Sequence, residues 1–584
     1  MSDPDIRHPL SPAASIVHGS PLDDEPGIGT LTIPGYAREV TSRFAEREAL
    51  VLWAPDGDRI SWTYAELWER SVEVAKALVA AGAGKDARIG ILMTNRPEYL
   101  AAVFGIAMAG GVTVTLSTFS TAAELGYLLR SGAVSVLLYE RQVLKKDFGA
   151  MLCELEPAIS DAAAHQDLAS ASFPFLSRLV ALEPVTRVSG PAAPDPPIVQ
   201  KWANFLAAGA TVPDAVVSAR AASVHAADTG AIFFSSGTTD LPKGIVHAQR
   251  ALALQWWRWP RIYAIDPVNF PVRAWTGNGF FWSGNISMVV GNALTTGGTI
   301  VLQPVFEADE ALELMEKEQV SYPNGRPHQW ARLQASPHWD AVDLSSLHYI
   351  TYSEILMSHP TVRTDWKLCP AFGTTETLTI CTAVGANVAP EVHKGSYGRP
   401  LPGNTLKIFD PDTGAAVPVG ERGEIAIKGP TLMIGYVGKT IENTFDDEGF
   451  FCTGDGGYVD ESGLLFWEGR LTEIIKTGGA NVSPIEIDLA LANFPGVKRS
   501  QTVGVPDALL GEMVVSCIIP HDGVDLSTDA LMGFLKGQFA SYKVPRALLF
   551  FSEEEMATTG SGKVKFRQLR DLAARRLRAE GVAG

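Results

Sequence analysis

Residues 234–244 read FSSGTTDLPKG, and they directly follow the apolar run 231–234, which is typical of a β-strand. Glycine lets backbone N–H groups approach phosphate oxygens closely, and the hydroxyls add donors that can also face Mg²⁺. Lys243 adds a compact positive charge. This combination predicts a loop that holds a polyphosphate, so a nucleoside triphosphate is the first ligand to consider.

Two other interpretations use the same residue types. A flexible surface turn is also rich in Gly, Ser, Thr, Asp and Pro. A Walker P-loop needs a lysine directly after its last glycine and a Ser or Thr after that lysine, whereas Lys243 precedes Gly244. The segment 560–563, GSGK, fails the same test because Val564 follows its lysine and Ala557 stands where the first glycine belongs. The sequence therefore disfavours a Walker-type hydrolase.

Composition narrows the class of protein. With 584 residues, 46% of them hydrophobic and 19% charged, the chain has enough core material for at least two compact domains. A net charge of −17 argues against general attraction to nucleic acid or to an anionic membrane. The N-terminus lacks a signal peptide, no apolar run is long enough for stable membrane insertion, and the five cysteines show no C-x-x-C spacing. We therefore expect a cytoplasmic protein with reduced thiols and no zinc site.

The chain alternates between two kinds of pattern. Short apolar runs at 89–93, 134–138 and 299–302 alternate with helix-like stretches at 64–81 and 307–318. Because parallel strands are buried on both faces and need helical crossovers, this alternation predicts an α/β protein with substantial parallel sheet.

Three domains are predicted. Residues 1–35 are rich in Pro, Gly, Asp and Ser and are expected to form an irregular arm. A large domain is predicted at 36–471 and ends in a β-rich subdomain, and 472–584 is predicted to form a small mobile α+β domain. Its last helix is predicted to bury one face, formed by Phe566, Leu569, Leu572, Ala573 and Leu577.

Further glycine- and acid-bearing segments follow the first loop. In chain order they are 371–376 (AFGTTE), 395–400 (GSYGRP), 435–436 (GY), 453–455 (TGD), 469–470 (GR), 476–479 (KTGG), 542–545 (YKVP) and 562–563 (GK). This series resembles the ANL superfamily of adenylate-forming enzymes, which includes acyl-CoA synthetases, adenylation domains of peptide synthetases and luciferases. The resemblance implies two α/β subdomains plus a β-rich subdomain, and a small C-terminal domain that rotates between two half-reactions.

The resemblance also implies that the chain binds ATP, and it assigns nucleotide contacts residue by residue. The triphosphate loop corresponds to Ser235, Ser236, Gly237, Thr238, Thr239 and Lys243. The adenine and the α-phosphate are expected near Ser353, Glu354, Phe372, Gly373, Thr374 and Thr375. Asp455 and Arg470 resemble the family's contacts to the ribose hydroxyls and a phosphate, and Glu376 resembles its Mg²⁺ ligand.

Catalysis is expected to depend on neutralising the negative charges of the two reactants. Attack of a carboxylate on an α-phosphate brings two anions together, so positioning and neutralisation must lower the barrier. By resemblance, Lys563, Lys243, Thr375 and Mg²⁺ act in adenylation, and Lys476 acts in the second conformation. The same resemblance puts the hinge at Thr472 and the access path of CoA at Gly478 and Gly479.

The acid is expected to be bulky and apolar. The resemblance assigns the acyl pocket to Trp282, Gly284 and Tyr352, with Trp282 replacing a gating histidine. Amino-acid-activating relatives carry an Asp within the segment equivalent to 281–285, and this chain has none there. Each of nine nearby aromatic residues is, taken alone, at least as typical of core or surface packing as of a pocket. As a cluster they favour a pocket for an alicyclic, terpenoid or steroid-like acid, with a fatty acid as the alternative: Trp256, Trp257, Trp259, Tyr263, Phe270, Trp275, Phe280, Phe281 and Trp282.

The predicted function is an ATP-dependent acyl-CoA ligase, monomeric or homodimeric, that makes an acyl adenylate and then an acyl-CoA. Two alternatives stay open. One passes the adenylate to the phosphopantetheine of a carrier protein. The other is a catalytically silent nucleotide-binding homologue, suggested by Asp240, which puts a negative charge where relatives usually have Gly.

Overall fold

A computed structural model describes most of the chain. The described residues are 14–163, 167–186, 188, 194–235, 242–351, 353–368, 370–471, 473, 475–477, 480–507, 510–539, 543–556 and 564–579. Within them the chain forms two mainly parallel sheets, an antiparallel β-rich part and a smaller C-terminal α+β unit.

The first large sheet has eight strands. In the order across the sheet, the first six strands, which end with Thr229–Ser235, run parallel to one another. Their order is Gln200–Lys201, Arg178–Leu182, Val136–Glu140, Arg88–Leu92, Val112–Thr115, Thr229–Ser235, Lys243–Ala248 and Gly435–Tyr436. The apolar runs predicted at 89–93 and 134–138 are confirmed as strands of this sheet, because side chains buried on both faces must be apolar.

The second large sheet has five strands. Their order is Tyr322–Asn324, Arg273–Thr276, Thr299–Leu302, Glu48–Trp53 and Arg59–Thr63. The strand predicted at 299–302 is confirmed, and it pairs in parallel with Glu48–Trp53. A two-stranded ribbon, Gln142–Val143 with Lys146–Asp147, lies outside both sheets.

Helices cover the two large sheets, and the apolar faces of these helices are buried against the sheets. The α-helices of this body are Ile33–Arg43, Tyr64–Ala80, Pro97–Met108, Ala122–Ser131, Phe148–Leu155, Ala158–Asp161, Trp202–Ala208, Asp214–Ala222, Gln249–Ile262, Ser283–Leu294, Ala308–Lys317, Pro327–Gln334, Glu354–Met357 and Pro390–His393. The helices predicted at 64–81 and 307–318 are confirmed within one residue at each end. The first begins at a capping box in which Thr63 and Glu66 satisfy each other's backbone N–H groups.

The strands of the β-rich part pair in antiparallel fashion. Its sheet order is Ile16–His18, Thr405–Phe409, Gly423–Lys428, Phe451–Val459 and Leu465–Arg470, and a smaller sheet joins Ala371–Phe372, Thr382–Ala383 and Arg399–Pro400. The expectation of an irregular arm over 1–35 needs correction, because residues 16–18 form an edge strand on 405–407. Pairing with a distant strand here outweighs the weak local signal.

The C-terminal unit has its own core. It contains the strands Ile475–Thr477, Ala480–Val482, Val497–Asp507, Gly511–Pro520 and Ala547–Phe550 and the helices Pro484–Ala492, Thr528–Gln538 and Phe566–Ala579. The predicted apolar face of the last helix is confirmed: Leu569, Ala573 and Leu577 are buried against the sheet. None of the described helices is long and apolar enough to cross a membrane. The domain limits after 35 and 471 stay predictions.

A buried ion pair ties the N-terminal segment to the body. The side chains of Glu25 and Arg258 are both fully excluded from solvent, with Arg258 Nη2 2.8 Å from Glu25 Oε2. Arg261 also contacts Glu25, and Arg258 additionally donates to the carbonyl of Pro402. A charge in such a place must be paired, so this contact holds residues around 25 against the helix Gln249–Ile262.

We predict that Glu25→Gln lowers the free energy of unfolding by about 3 to 5 kcal/mol, because it leaves two guanidinium groups without their buried carboxylate. Chemical denaturation measures the loss. The matched control is Glu73→Gln, which removes an exposed pair with Arg70 and should cost less than about 1 kcal/mol. Equal losses in the two variants would contradict the prediction.

Candidate active site

The predicted triphosphate loop connects two neighbouring strands of the first large sheet. Ser235 ends one strand, Lys243 begins the next, and the two residues lie opposite each other in antiparallel register. The loop therefore leaves and re-enters the sheet at one point. Its other predicted contacts, Ser236, Gly237, Thr238 and Thr239, lie outside the described residues, as does Asp240.

A strained loop follows Gly373. A Cβ at that position would lie 2.1 Å from the carbonyl oxygen of Thr379 and 2.5 Å from the Cα of Ile380, so only glycine fits. Leu378 and Thr379 both have positive φ, 48° and 85°, which is costly for non-glycine residues and is common at functional sites. The buried amide of Gln255 donates to the carbonyls of Leu378 and Ile380, each at 2.8 Å, and holds this backbone in place.

The first turn of this loop carries the predicted α-phosphate and metal contacts. The buried hydroxyl of Thr374 has no hydrogen-bond partner among the described residues. His247 Nε2 lies 2.8 Å from the carbonyl oxygen of Thr375, which can only accept, so Nε2 carries the proton. Burial lowers the pKa of His247 to about 4, so its ring is neutral. Glu376 accepts a 2.8 Å hydrogen bond from the Tyr436 hydroxyl.

Two lysines lie against the ring of that tyrosine. Lys243 Nζ is 5.8 Å from the Tyr436 ring centroid, and Lys439 Nζ is 5.2 Å from it. Burial and the neighbouring Glu376 raise the pKa of Tyr436, so the phenol keeps its proton and donates. The cation of the triphosphate loop and the predicted metal ligand are thus joined through one side chain.

The predicted ribose contacts also meet. Asp455 is buried in the strand Phe451–Val459, and Arg470 Nε lies 3.1 Å from its Oδ1. A further bond from Arg470 Nη1 to the carbonyl of Thr453, 2.6 Å long, fixes the guanidinium. Phe372 is buried and packs against Trp467, with 6.2 Å between ring centroids.

A cavity of about 570 Å³ joins the nucleotide loops to the predicted acyl pocket. Ser235, Thr374 and Thr375 line one part of it, and Trp282 and Gly284 line another. Its apolar wall is formed by Trp259, Ile262, Tyr263, Met288, Trp330 and Leu368. Of the described lining residues, none is acidic and one is cationic, Arg326.

The nine aromatic residues are divided between the cavities and the packing of the protein. Trp259, Tyr263 and Trp282 line the cavity, whereas Phe281 lines a neighbouring one. The other rings do not line it: Trp256, Trp257, Trp275 and Phe280 belong to the core, and Phe270 is exposed and stacks on His348. Sequence reasoning missed Met288, Trp330 and Leu368 because they lie on separate elements.

The neighbouring cavity, of about 340 Å³, shares three lining residues with the first: Asn278, Trp282 and Arg326. The Arg326 guanidinium carbon lies 5.3 Å from the Trp282 ring centroid, so the two side chains form one stacked wall between the cavities. Apolar rings such as Phe119 and Phe306 line the second cavity, together with Lys145, Lys146, His328 and Arg332.

Some predicted residues lie apart from the cavity. Ser353 caps the helix Glu354–Met357 by accepting from the Leu356 N–H, and Glu354 is exposed. Lys476 lines a separate cavity of about 220 Å³ together with Arg422 and Glu468. Lying outside the described residues are Tyr352, Thr472, Gly478, Gly479 and Lys563.

Comparison with known proteins agrees with this geometry. Residues 37–437 match the family model of AMP-binding enzymes, and 486–563 match that of the AMP-binding enzyme C-terminal domain. The chain is 30% identical to the indoleacetate–CoA ligase of Aromatoleum aromaticum, over 88% of this chain and 94% of that one. It is 29% identical to the fatty acid–[acyl-carrier-protein] ligase ScoC of Streptomyces coeruleorubidus, over 87% and 91%.

A solved structure shares the fold. The ATP-bound MatB of Rhodopseudomonas palustris superposes with a TM-score of 0.71 at 24% identity, covering 93% of this chain and 99% of that one. The expected fold, a large N-terminal domain with a small C-terminal one, is confirmed, and so is the expected superfamily. This chain belongs to the AMP-binding enzyme family of adenylate-forming enzymes.

Proposed function

We propose that this chain is an ATP-dependent acyl-CoA ligase. The carboxylate of an acid attacks the α-phosphorus of ATP and releases pyrophosphate. The thiol of CoA then attacks the acyl carbon, gives up its proton and releases AMP. The observation that carries the proposal is the continuous cavity from Ser235 and Thr375 to an apolar pocket beside Trp282, because it lets a carboxylate and an α-phosphate meet.

The nucleotide end has suitable chemistry. The hydroxyl of Thr374, unpartnered among the described residues, is free to donate to a phosphate oxygen, and Lys243 neutralises the polyphosphate. Glu376 is proposed as the Mg²⁺ ligand, since the hydrogen bond from Tyr436 leaves one carboxylate oxygen for a hard cation. The described residues contain no group of three potential ligands, so such an ion would depend on the phosphates of ATP as well. When bound, it would neutralise phosphate charge.

The apolar pocket suits an acid without an α-amino group. An ammonium there would have no acidic partner among the described lining residues, and burial of an unpaired charge costs several kcal/mol. The aromatic wall of Trp259, Tyr263 and Trp330 favours a bulky body. The indoleacetate–CoA ligase relative supports an acid of this kind.

The second half-reaction needs a path for the thiol. We propose that pantetheine approaches through the cavity beyond Trp282, whose basic side chains suit the phosphates of CoA. Lys476 lies apart from the acyl cavity, so the domain 472–584 would rotate about Thr472 to bring Lys476, Gly478 and Gly479 to the adenylate. Lys563 would act before that rotation. We place the reaction in the cytoplasm, with a monomer or homodimer as the acting form.

A carrier protein is the second candidate acceptor. The ScoC relative is named a ligase for an acyl carrier protein, and a carrier also presents a phosphopantetheine thiol. CoA and a loaded carrier protein have the same pantetheine arm, and this arm would enter the second cavity. They differ in the group attached to the far end of that arm, which is a nucleotide in CoA and a folded protein in a carrier. A direct comparison of CoA with a loaded carrier therefore separates them.

We predict that Lys243→Ala lowers the rate of acid-dependent pyrophosphate release about a hundred-fold, because it removes charge from the triphosphate loop. Lys439→Ala is the matched control, since it also removes a lysine from the face of Tyr436, and it should change the rate little. The assay uses ATP, Mg²⁺ and a panel of fatty, aryl, alicyclic and terpenoid acids, with and without CoA.

The same assay decides between the candidate functions. Acyl-CoA formed only when CoA is present would support the ligase. Thioester formed only on a carrier would support the second acceptor. Measurable AMP binding without pyrophosphate release from any acid would contradict both and favour the silent homologue suggested by Asp240.

His247 should make stability depend on pH. Its pKa falls from 6.5 to about 4 on folding, so between these values the unfolded chain binds a proton that the folded chain does not. We therefore expect the free energy of unfolding to decrease as the pH falls from 6.5 to 4, by on the order of 3 kcal/mol from this residue. Denaturation of wild type and His247→Gln across this range measures it. A parallel loss in both proteins would assign the effect to other groups.

A further inference from the structure

Arg326 is a partly buried cation without a counter-ion among the described residues. Its Nε is shielded from solvent and has no hydrogen-bond partner there, and no described carboxylate pairs with the guanidinium. The guanidinium packs on Trp282, and it lines the acyl cavity as its one described cationic residue. The side chain is therefore positioned by an aromatic ring and left open to a ligand.

The surroundings of Arg326 add to the cost of its charge. It directly precedes the helix Pro327–Gln334, where the helix dipole presents its positive end. His328 and Arg332 follow on the same helix, and burial together with the charges of Arg326 and Arg332 lowers the pKa of His328. Burial also lowers the pKa of Arg326 itself. An anion bound here would relieve both desolvation and repulsion between like charges.

We propose that Arg326 binds a second carboxylate of the acid substrate, so that the preferred substrates are diacids with an apolar body. This inference rests on the proposed ligase function and names its substrate class. The body of the acid lies against Trp259, Tyr263 and Met288. One carboxylate reacts at the nucleotide end, and the other forms a charge-assisted, bidentate pair with the guanidinium.

The geometry favours the acid over CoA as the source of this anion. The pantetheine arm is uncharged, and its whole length separates the phosphates of CoA from the thiol that must reach the acyl carbon. His328 and Arg332, which line only the second cavity, are better placed for those phosphates. A clamp on the reacting carboxylate is also disfavoured, because it would stabilise the nucleophile in the ground state. A carboxylate that does not react can use its binding energy for positioning.

The test compares each diacid with its own monomethyl ester, which keeps the shape and removes one charge. The probes are 1,4-phenylenediacetic acid, octanedioic acid and their monomethyl esters. For wild type we expect kcat/KM for acid-dependent pyrophosphate release to favour the diacid about 10- to 100-fold. Arg326→Met should bring this ratio to about 1, and Arg326→Lys should keep part of the preference.

Arg38→Met is the matched control, because it also removes a guanidinium that lies over a tryptophan ring, 5.8 Å from the Trp68 centroid, and Arg38 lines neither cavity. It should keep the wild-type ratio. Wild-type preference for the esters, or a preference that survives in Arg326→Met, would overturn the inference. A defect of Arg326→Met that is confined to the CoA-dependent step would also overturn the inference, because it would assign Arg326 to the binding of CoA. Absence of pyrophosphate release with every acid would instead refute the proposed function itself, and the inference with it.

Discussion

The hydrogen bonds from the Gln255 amide to the carbonyls of Leu378 and Ile380 hold the site together. They connect the buried helix Gln249–Ile262 to a backbone segment that would otherwise relax from its positive φ values. The buried N–H groups of this amide need acceptors, and these two carbonyls are the nearest ones. The loop that presents Thr375 is therefore placed by the core of the protein.

The same helix positions two other parts of the molecule. Its Arg258 binds Glu25 and so holds the N-terminal segment, while Trp259 and Ile262 line the proposed acyl cavity. The hydrogen bonds and ion pair of the polar residues on this helix, together with the packing of its apolar residues, thus determine the position of the cavity wall. A change in helix position would disturb the strained loop and the proposed acyl cavity together.

Much of the fold can be predicted from local patterns, and much of the site cannot. Apolar runs such as 299–302 predict buried strands because a parallel sheet tolerates little else there. The edge strand Ile16–His18 could not be predicted, because its pairing with Thr405–Phe409 depends on contacts nearly four hundred positions away in sequence. Family motifs indicated Asp455, Arg470 and Glu376, and the structure pairs Asp455 with Arg470 and Glu376 with Tyr436. Gln255 and Arg326 belong to no quoted motif, since their importance arises from the groups that folding brings beside them.

The charge of Arg326 is partly buried and is not compensated by a described carboxylate. A guanidinium over an aromatic ring gains about 0.5 to 2 kcal/mol from the ring, which does not offset the desolvation of an unpaired ion. Its position before a helix N-terminus makes the deficit larger. Pairing with an anionic ligand would remove this deficit, and the gain would appear as affinity and orientation rather than as stability of the empty protein. Selectivity for the acid would then come from a charge that the described part of the fold leaves uncompensated, at the wall where the two cavities meet.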